Sequence, residues 1–157
     1  EENLRTVIGA YGEEKFAGRI AKAIVERRKE KPIKTSAELA EIVKKAVPLW
    51  YRFKKIHPAT KTFQALRIAV NDELRALQEG LEKAWQILGK DGVLAVISFH
   101  SLEDRIVKRF FRERADNGEG ALLTKKPITP SEEEVRDNPR SRSAKLRAIK
   151  KIVDSRQ

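Results

Sequence analysis

The sequence predicts an α/β fold in which a helical block precedes a small sheet. Three observations point there. The run Val93-Leu94-Ala95-Val96-Ile97-Ser98-Phe99 is apolar on both faces, as expected of a strand in the middle of a parallel sheet. Stripes of apolar residues at helical spacing lie on both sides of it. Two further strand-like segments, near 121–128 and 144–152, follow and suggest an antiparallel pair at the sheet's edge.

Residues 3–31 carry Phe16, Ile20 and Ile24 near a 3.6 period, and Gly9 and Gly12 split this stretch into two short helices. Thr35-Ser36-Ala37-Glu38 is a capping box that opens a helix over 36–46, which Pro48 stops. Residues 48–61 read as a basic, aromatic loop. Thr62 is the expected cap of the longest helix, about 63–88. Its stripe Phe63, Leu66, Val70, Leu74, Leu77, Leu81, Trp85 and Leu88 is spaced 3, 4, 4, 3, 4, 4 and 3. Asp91-Gly92 turns into the strand. Ser101 is then the expected N-cap of a helix reaching about Ala115, with Glu103 and Asp104 suiting its positive end. A Gly-containing turn covers 116–120, and a polar loop, Pro130 to Ser143, separates the last two strands.

Composition narrows the function. The chain has 157 residues, no Cys and two His, which excludes disulfide scaffolds, cysteine nucleophiles and a site built on several histidines. No apolar run approaches the ~18 residues of a membrane helix. The net charge is +11, and it is segregated: residues 1–61 carry +7 and residues 121–157 carry +5, while the middle is close to neutral. A segregated positive charge fits a polyanion-binding face better than a solubility device. There is no Met, and the first residues read as the middle of a helix. A lone buried parallel strand also needs neighbours that these residues do not supply. Both features lead to the expectation of a piece of a longer protein.

Four stretches carry chemistry. Trp50 to Lys61 alternates the rings of Trp50, Tyr51 and Phe53 with Arg52, Lys54, Lys55, His57 and Lys61. Cations neutralise phosphates and rings stack on unpaired bases; the competing reading has the rings anchoring the loop to the helical block. Ser98 to Arg105 lies at the carboxyl end of the strand, where ligands bind in open α/β sheets. There His100 is the candidate for proton transfer or base contact, whereas Ser101, Glu103 and Asp104 fit helix capping. Arg140 and Arg142 share one side of an extended chain, placed for phosphate contact or for solvation. Arg67 and Asn71, at i and i+4 with Glu73 beside them, project together in either a structural or a binding role.

His57-Pro58-Ala59-Thr60-Lys61-Thr62-Phe63-Gln64-Ala65-Leu66-Arg67-Ile68 with Asn71 and Glu73-Leu74 resembles a signature of the bacterial RsmH (MraW) methyltransferases. So do Ser98 to Lys108, Tyr11-Gly12-Glu13-Glu14 with Ala21 to Arg27, and Asn138-Pro139-Arg140-Ser141-Arg142-Ser143. The motifs follow the family's order. The resemblance implies methylation of the exocyclic N4 of a cytidine in small-subunit ribosomal RNA with S-adenosylmethionine, by a cytoplasmic enzyme with a Rossmann-like fold and an inserted helical domain. On that basis residues 1–61 are the partial helical insert. Residues 62–157 are the C-terminal part of the Rossmann-like domain, with one parallel strand and a terminal antiparallel hairpin. His100 is the expected catalytic residue. Lys54, Lys55, His57, Lys61, Arg67, Asn71, Ser101, Arg140 and Arg142 are the expected RNA contacts.

The family's Gly-Gly-His cofactor loop is not in this sequence, so no cofactor-binding residue is carried over. No metal and no membrane partner is expected, and an exposed sheet edge makes a homodimer plausible. The alternative reading is a non-catalytic RNA-binding module. A third, a basic helical DNA-binding protein, is disfavoured by the central strand.

Overall fold

The computed structural model describes residues 1–153. The chain divides into two compact units, Glu1–Glu73 and Leu74–Gln157.

The first unit is helical. Helices α1 (Glu2–Gly12) and α2 (Ala17–Glu30) are the expected pair of short helices. Helix α3 (Ser36–Ala46) starts at the expected capping box: Glu38 N–H donates to Thr35 Oγ1 at 3.1 Å, and the Glu38 carboxylate accepts the Thr35 N–H. The helix stops before Pro48, as expected. Residues 48–61 are not loop throughout, because Leu49–Arg52 form one helical turn, α4. Ile8, Ile20, Ile24, Val43, Val47 and Tyr51 make the core of this unit.

The single helix expected over 63–88 is two. Helix α5 (Thr60–Asn71) ends at Asp72, whose φ of 49° is left-handed, and α6 (Glu73–Ile87) begins after it. Aspartate tolerates this conformation better than most residues. The apolar stripe misled because Val70, a member of it, is 83% exposed. Thr62 is not the cap. Ala59 holds that position, and Thr62 is fully buried in the first turn.

Helix α5 packs along α1. A Cβ at Gly12 would lie 2.6 Å from the Lys61 carbonyl oxygen, so only glycine permits this approach. Gln64 Nε2 donates to Tyr11 O at 3.2 Å, and Lys61 Nζ donates to Glu13 O at 2.8 Å. Both satisfy carbonyls at the C-terminal end of α1, which has no intrahelical donors left.

The second unit joins α6 and α7 (Ser101–Asp116) to a three-stranded sheet of order β1-β3-β2. The strands are β1 (Val93–Ser98), β2 (Gly120–Leu122) and β3 (Lys145–Lys151). The last two pair antiparallel, as expected, though β3 is central rather than at an edge. Strand β1 departs from expectation. It is antiparallel to β3, with Val93 opposite Lys150 and Ser98 opposite Lys145, and no parallel partner exists among the described residues.

Only one face of β1 is covered. Leu94 and Val96 join Leu81, Trp85, Val107, Phe110, Phe111 and Ile149 in the core of this unit. Val93 and Ile97 on the other face are 51% and 58% exposed. A run apolar on both faces therefore gave a half-buried strand, because nothing among the described residues of this unit covers its second side.

The expected polar loop contains α8 (Glu132–Asp137) and a 3-10 turn, Pro139–Ser143. Gly118, at φ 74°, closes the turn after α7. Lys151 is 2% exposed, and its Nζ donates to the carbonyls of Trp85 and Leu88 at 2.7 and 2.8 Å. A cation here answers the negative end of α6.

Candidate nucleic-acid interface

In the first unit, α4 and the segment after it present a basic, aromatic surface. The sequence leaves two readings for its rings, and the structure separates them. Tyr51 anchors: it is 7% exposed and its hydroxyl donates to Glu14 Oε2 at 2.6 Å. Burial first, and the Glu14 carboxylate second, push the Tyr51 hydroxyl pKa above its ordinary value. Trp50 and Phe53 face solvent, at 55% and 81% exposure.

Two ammonium groups flank these rings. Lys15 Nζ lies 4.3 Å from the Trp50 ring centre, and Lys54 Nζ lies 5.3 Å from it. Both distances suit cation–π attraction. A cleft of about 260 Å3 beside them is lined by Glu13, Lys15, Tyr51, Lys54, His57 and Lys61. Lys54, His57 and Lys61, three of the expected RNA contacts, thus share one cleft.

Lys55 is exposed beside it and makes no hydrogen bond or ion pair among the described residues. His57 is also exposed, and its Nδ1 accepts the Ala59 N–H at 3.2 Å, shaping the entry to α5. Lys15 escaped the sequence reading. Its adjacency to Tyr11-Gly12-Glu13-Glu14 was the only signal.

Arg67 and Asn71 do come together, but on a carboxylate of their own chain. Arg67 grips Glu73 through two hydrogen bonds, of 2.8 and 3.0 Å, and Asn71 Nδ2 donates to the same group at 3.2 Å. This clasp spans the left-handed Asp72.

In the second unit, His100 rather than Ser101 is the N-cap of α7. Glu103 N–H donates to His100 Nδ1 at 3.3 Å, and Glu103 Oε2 accepts the His100 N–H, also at 3.3 Å. An imidazole nitrogen here replaces the usual hydroxyl, because the His100 backbone is extended and its ring folds over the first turn. Accepting at Nδ1 puts the proton of the neutral ring on Nε2. That atom is buried. It lies 3.4 Å from Glu103 Oε1 without making a hydrogen bond among the described residues. Ser101 is exposed in the first turn.

Asp104 is not a capping residue. It pairs with Arg147 at 2.7 Å and Lys145 at 3.2 Å, tying α7 to β3. The Arg147 guanidinium chiefly, helped by Lys145 and opposed by burial, holds its carboxyl below the usual carboxylate range. Arg140 and Arg142 are both exposed but lie in a 3-10 turn, not an extended chain. With three residues per turn, positions i and i+2 diverge, so the two guanidinium groups do not share a side. Asn138 starts the turn by accepting the Arg140 N–H, and the Pro139 ring favours the turn over a strand.

A methyl donor of the adenosyl-sulfonium type does not fit these residues. The turn after β1 has no glycine, and its backbone N–H groups at Phe99 and His100 are taken by Glu103. The cleft of the first unit gathers the ammonium groups of Lys15, Lys54 and Lys61 around Tyr51 and Ile56, and those three cations suit phosphate rather than a sulfonium. No described helix is long and apolar enough to cross a membrane.

The sequence is 57% identical over 152 residues to the ribosomal RNA small subunit methyltransferase H of Sulfurihydrogenibium sp. (strain YO3AOP1), covering 97% of this chain and 52% of that protein. It is 60% identical over 149 residues to the protein of that name from Persephonella marina, covering 95% and 51%. For the Coprothermobacter proteolyticus protein of the same name the figures are 56% over 153 residues, 98% and 50%. The chain therefore spans about half the length of these curated relatives. A family model described as the MraW methylase family matches residues 1–152, nearly the whole of the described structure. With these matches and the motifs in order along both units, the chain belongs to the MraW methylase family.

Proposed function

We propose that the intact protein methylates the exocyclic N4 of a cytidine in small-subunit ribosomal RNA, and that this chain supplies RNA-gripping surface together with the C-terminal α/β part. The names of the relatives support ribosomal RNA as substrate class. For the chain itself the reading rests on one observation: Lys54, His57 and Lys61 line one cleft beside exposed rings. Residues 1–61 are then part of the helical insert, and residues 62–157 are the C-terminal part of a Rossmann-like domain. The exposed apolar face of β1, an expensive surface to leave in water, supports a further layer packed on that side of the sheet.

In this reading Lys54, Lys55, His57 and Lys61 hold phosphates, as do Arg140 and Arg142. Arg67 and Asn71 keep α5 and its basic start in place through Glu73, and Ser101 offers its hydroxyl to RNA. His100, at the end of β1, meets the target base and acts on its exocyclic amine. S-Adenosylmethionine is the donor that the family resemblance implies for the intact enzyme, and none of this chain's residues is assigned to it. The setting is the bacterial cytoplasm, and two copies can pair through the open edge of β1.

A second reading, an RNA-binding module without catalysis, is favoured by the poor fit of a methyl donor to these residues. The first test is RNA affinity as a function of salt. Replacing Lys54 and Lys55 together by Ala weakens binding and reduces the log–log salt slope by about 1.4, from ~0.7 per phosphate contact on a single strand. An unchanged slope removes this surface from the RNA footprint. Methylation of a small-subunit RNA by the intact protein, lost when His100 is replaced, then separates enzyme from module.

A further inference from the structure

We propose that Phe53 and Trp50 form a stacking platform for unpaired bases, so that the first unit takes its RNA as a single strand. This rests on the RNA reading above and specifies the state of the substrate.

Tyr51 is locked into the core by Glu14, and that fixes the backbone of α4 on either side of it. The Trp50 ring is held edge-on by Phe16 and Tyr51, at centroid distances of 6.0 and 5.7 Å. Phe53 caps α4, its N–H donating to Tyr51 O. Its ring is 81% exposed and has no ring partner among the described residues. Leu49 and Ile56, at 64% and 55%, widen the apolar surface.

An apolar patch of this kind marks a binding site. The surrounding charge selects the partner. Lys15 and Lys54 stand within cation–π range of the Trp50 ring, and Lys55 and Lys61 lie along the same segment. A ligand matching both features carries phosphates and open π faces together. A single strand does so. A duplex offers its phosphates but keeps its bases stacked and out of reach. A protein partner would match the rings, yet would have to bring several carboxylates to the same place.

The chain contains its own probe. Of its two tryptophans, Trp85 is 5% exposed, so contact quenching reports Trp50. The 157-residue chain is titrated with a single-stranded RNA dodecamer and with a duplex of equal length. The single strand quenches tryptophan emission and binds more tightly than the duplex. Phe53→Leu, which keeps apolar bulk but loses the ring, weakens single-strand binding about tenfold, and Phe53→Tyr restores it. Equal affinity for both RNAs, or an unaffected Phe53→Leu, overturns the platform while loss of binding in the Lys54/Lys55 variant still upholds the RNA reading. Absence of binding to either RNA overturns both and leaves the patch to a protein partner.

Discussion

The Tyr51 hydroxyl and Glu14 carboxylate meet at 2.6 Å across 37 positions of sequence. Glu14 is 3% exposed, and its other oxygen accepts the Phe16 N–H at 2.9 Å. A buried carboxylate is tolerable only while both oxygens are satisfied. This pair is what ties the basic segment to the helical core.

Tyr51→Phe leaves the carboxylate short of a donor and costs about 1–3 kcal/mol in denaturant unfolding. The pH dependence follows from the raised pKa of the hydroxyl. Its stabilisation is complete below the ordinary tyrosine value near pH ~10 and is lost as pH rises beyond it. Tyr51→Phe flattens that alkaline limb; an unchanged limb would show that the hydroxyl contributes nothing.

Asp104 gives the opposite limb. Its carboxyl is held low by Arg147 and Lys145, so its contribution is present above the ordinary aspartate value near ~3.9 and fades as pH falls. Asp104→Asn destabilises the chain at neutral pH and makes acid unfolding less steep. Urea midpoints from pH 2 to 7 decide it, and parallel profiles of variant and parent would refute the assignment.

His100 carries a structural role and a proposed catalytic one, and two substitutions separate them. His100→Ala loses the cap and costs about 1 kcal/mol, whereas Asn caps well and His100→Asn retains stability. If His100 acts on the base, the intact protein with His100→Asn folds normally but methylates slowly at saturating RNA. Full turnover would leave His100 a capping residue alone.

Gly12→Ala drives a methyl group into the Lys61 carbonyl, a backbone atom that cannot step aside without moving α5. Overpacking of this kind costs about 1–3 kcal/mol. Because Lys61 lines the basic cleft, RNA affinity falls with stability. Unfolding and RNA titration on the same sample check both, and a neutral substitution would mean the helices can separate.

Sequence revealed what lies within a turn or two of chain. Thr35 and Glu38 are three residues apart, so their mutual capping was readable, and so was the stop at Pro48. The break at Asp72 was not, because the apolar spacing runs through it and a left-handed aspartate leaves no local mark. Asp104 fitted a helix cap by position, yet its partners sit 41 and 43 residues away on β3. His100 was expected as a catalytic residue; its place as the cap of α7 was not legible, because an imidazole cap is indistinguishable in sequence from a catalytic histidine. The family motifs marked segments without dividing their residues between scaffold and interface. Lys61, at once a clasp on α1 and a wall of the cleft, shows why that division needs coordinates.

The bare side of the sheet has a practical result. Val93 and Ile97 are joined there by Leu123 and Ile128, at 49% and 54% exposure. Two such oily panels meeting in solution release water from each other, so light scattering of the purified chain climbs with concentration. A single lysine in place of Ile97 keeps the molecules apart.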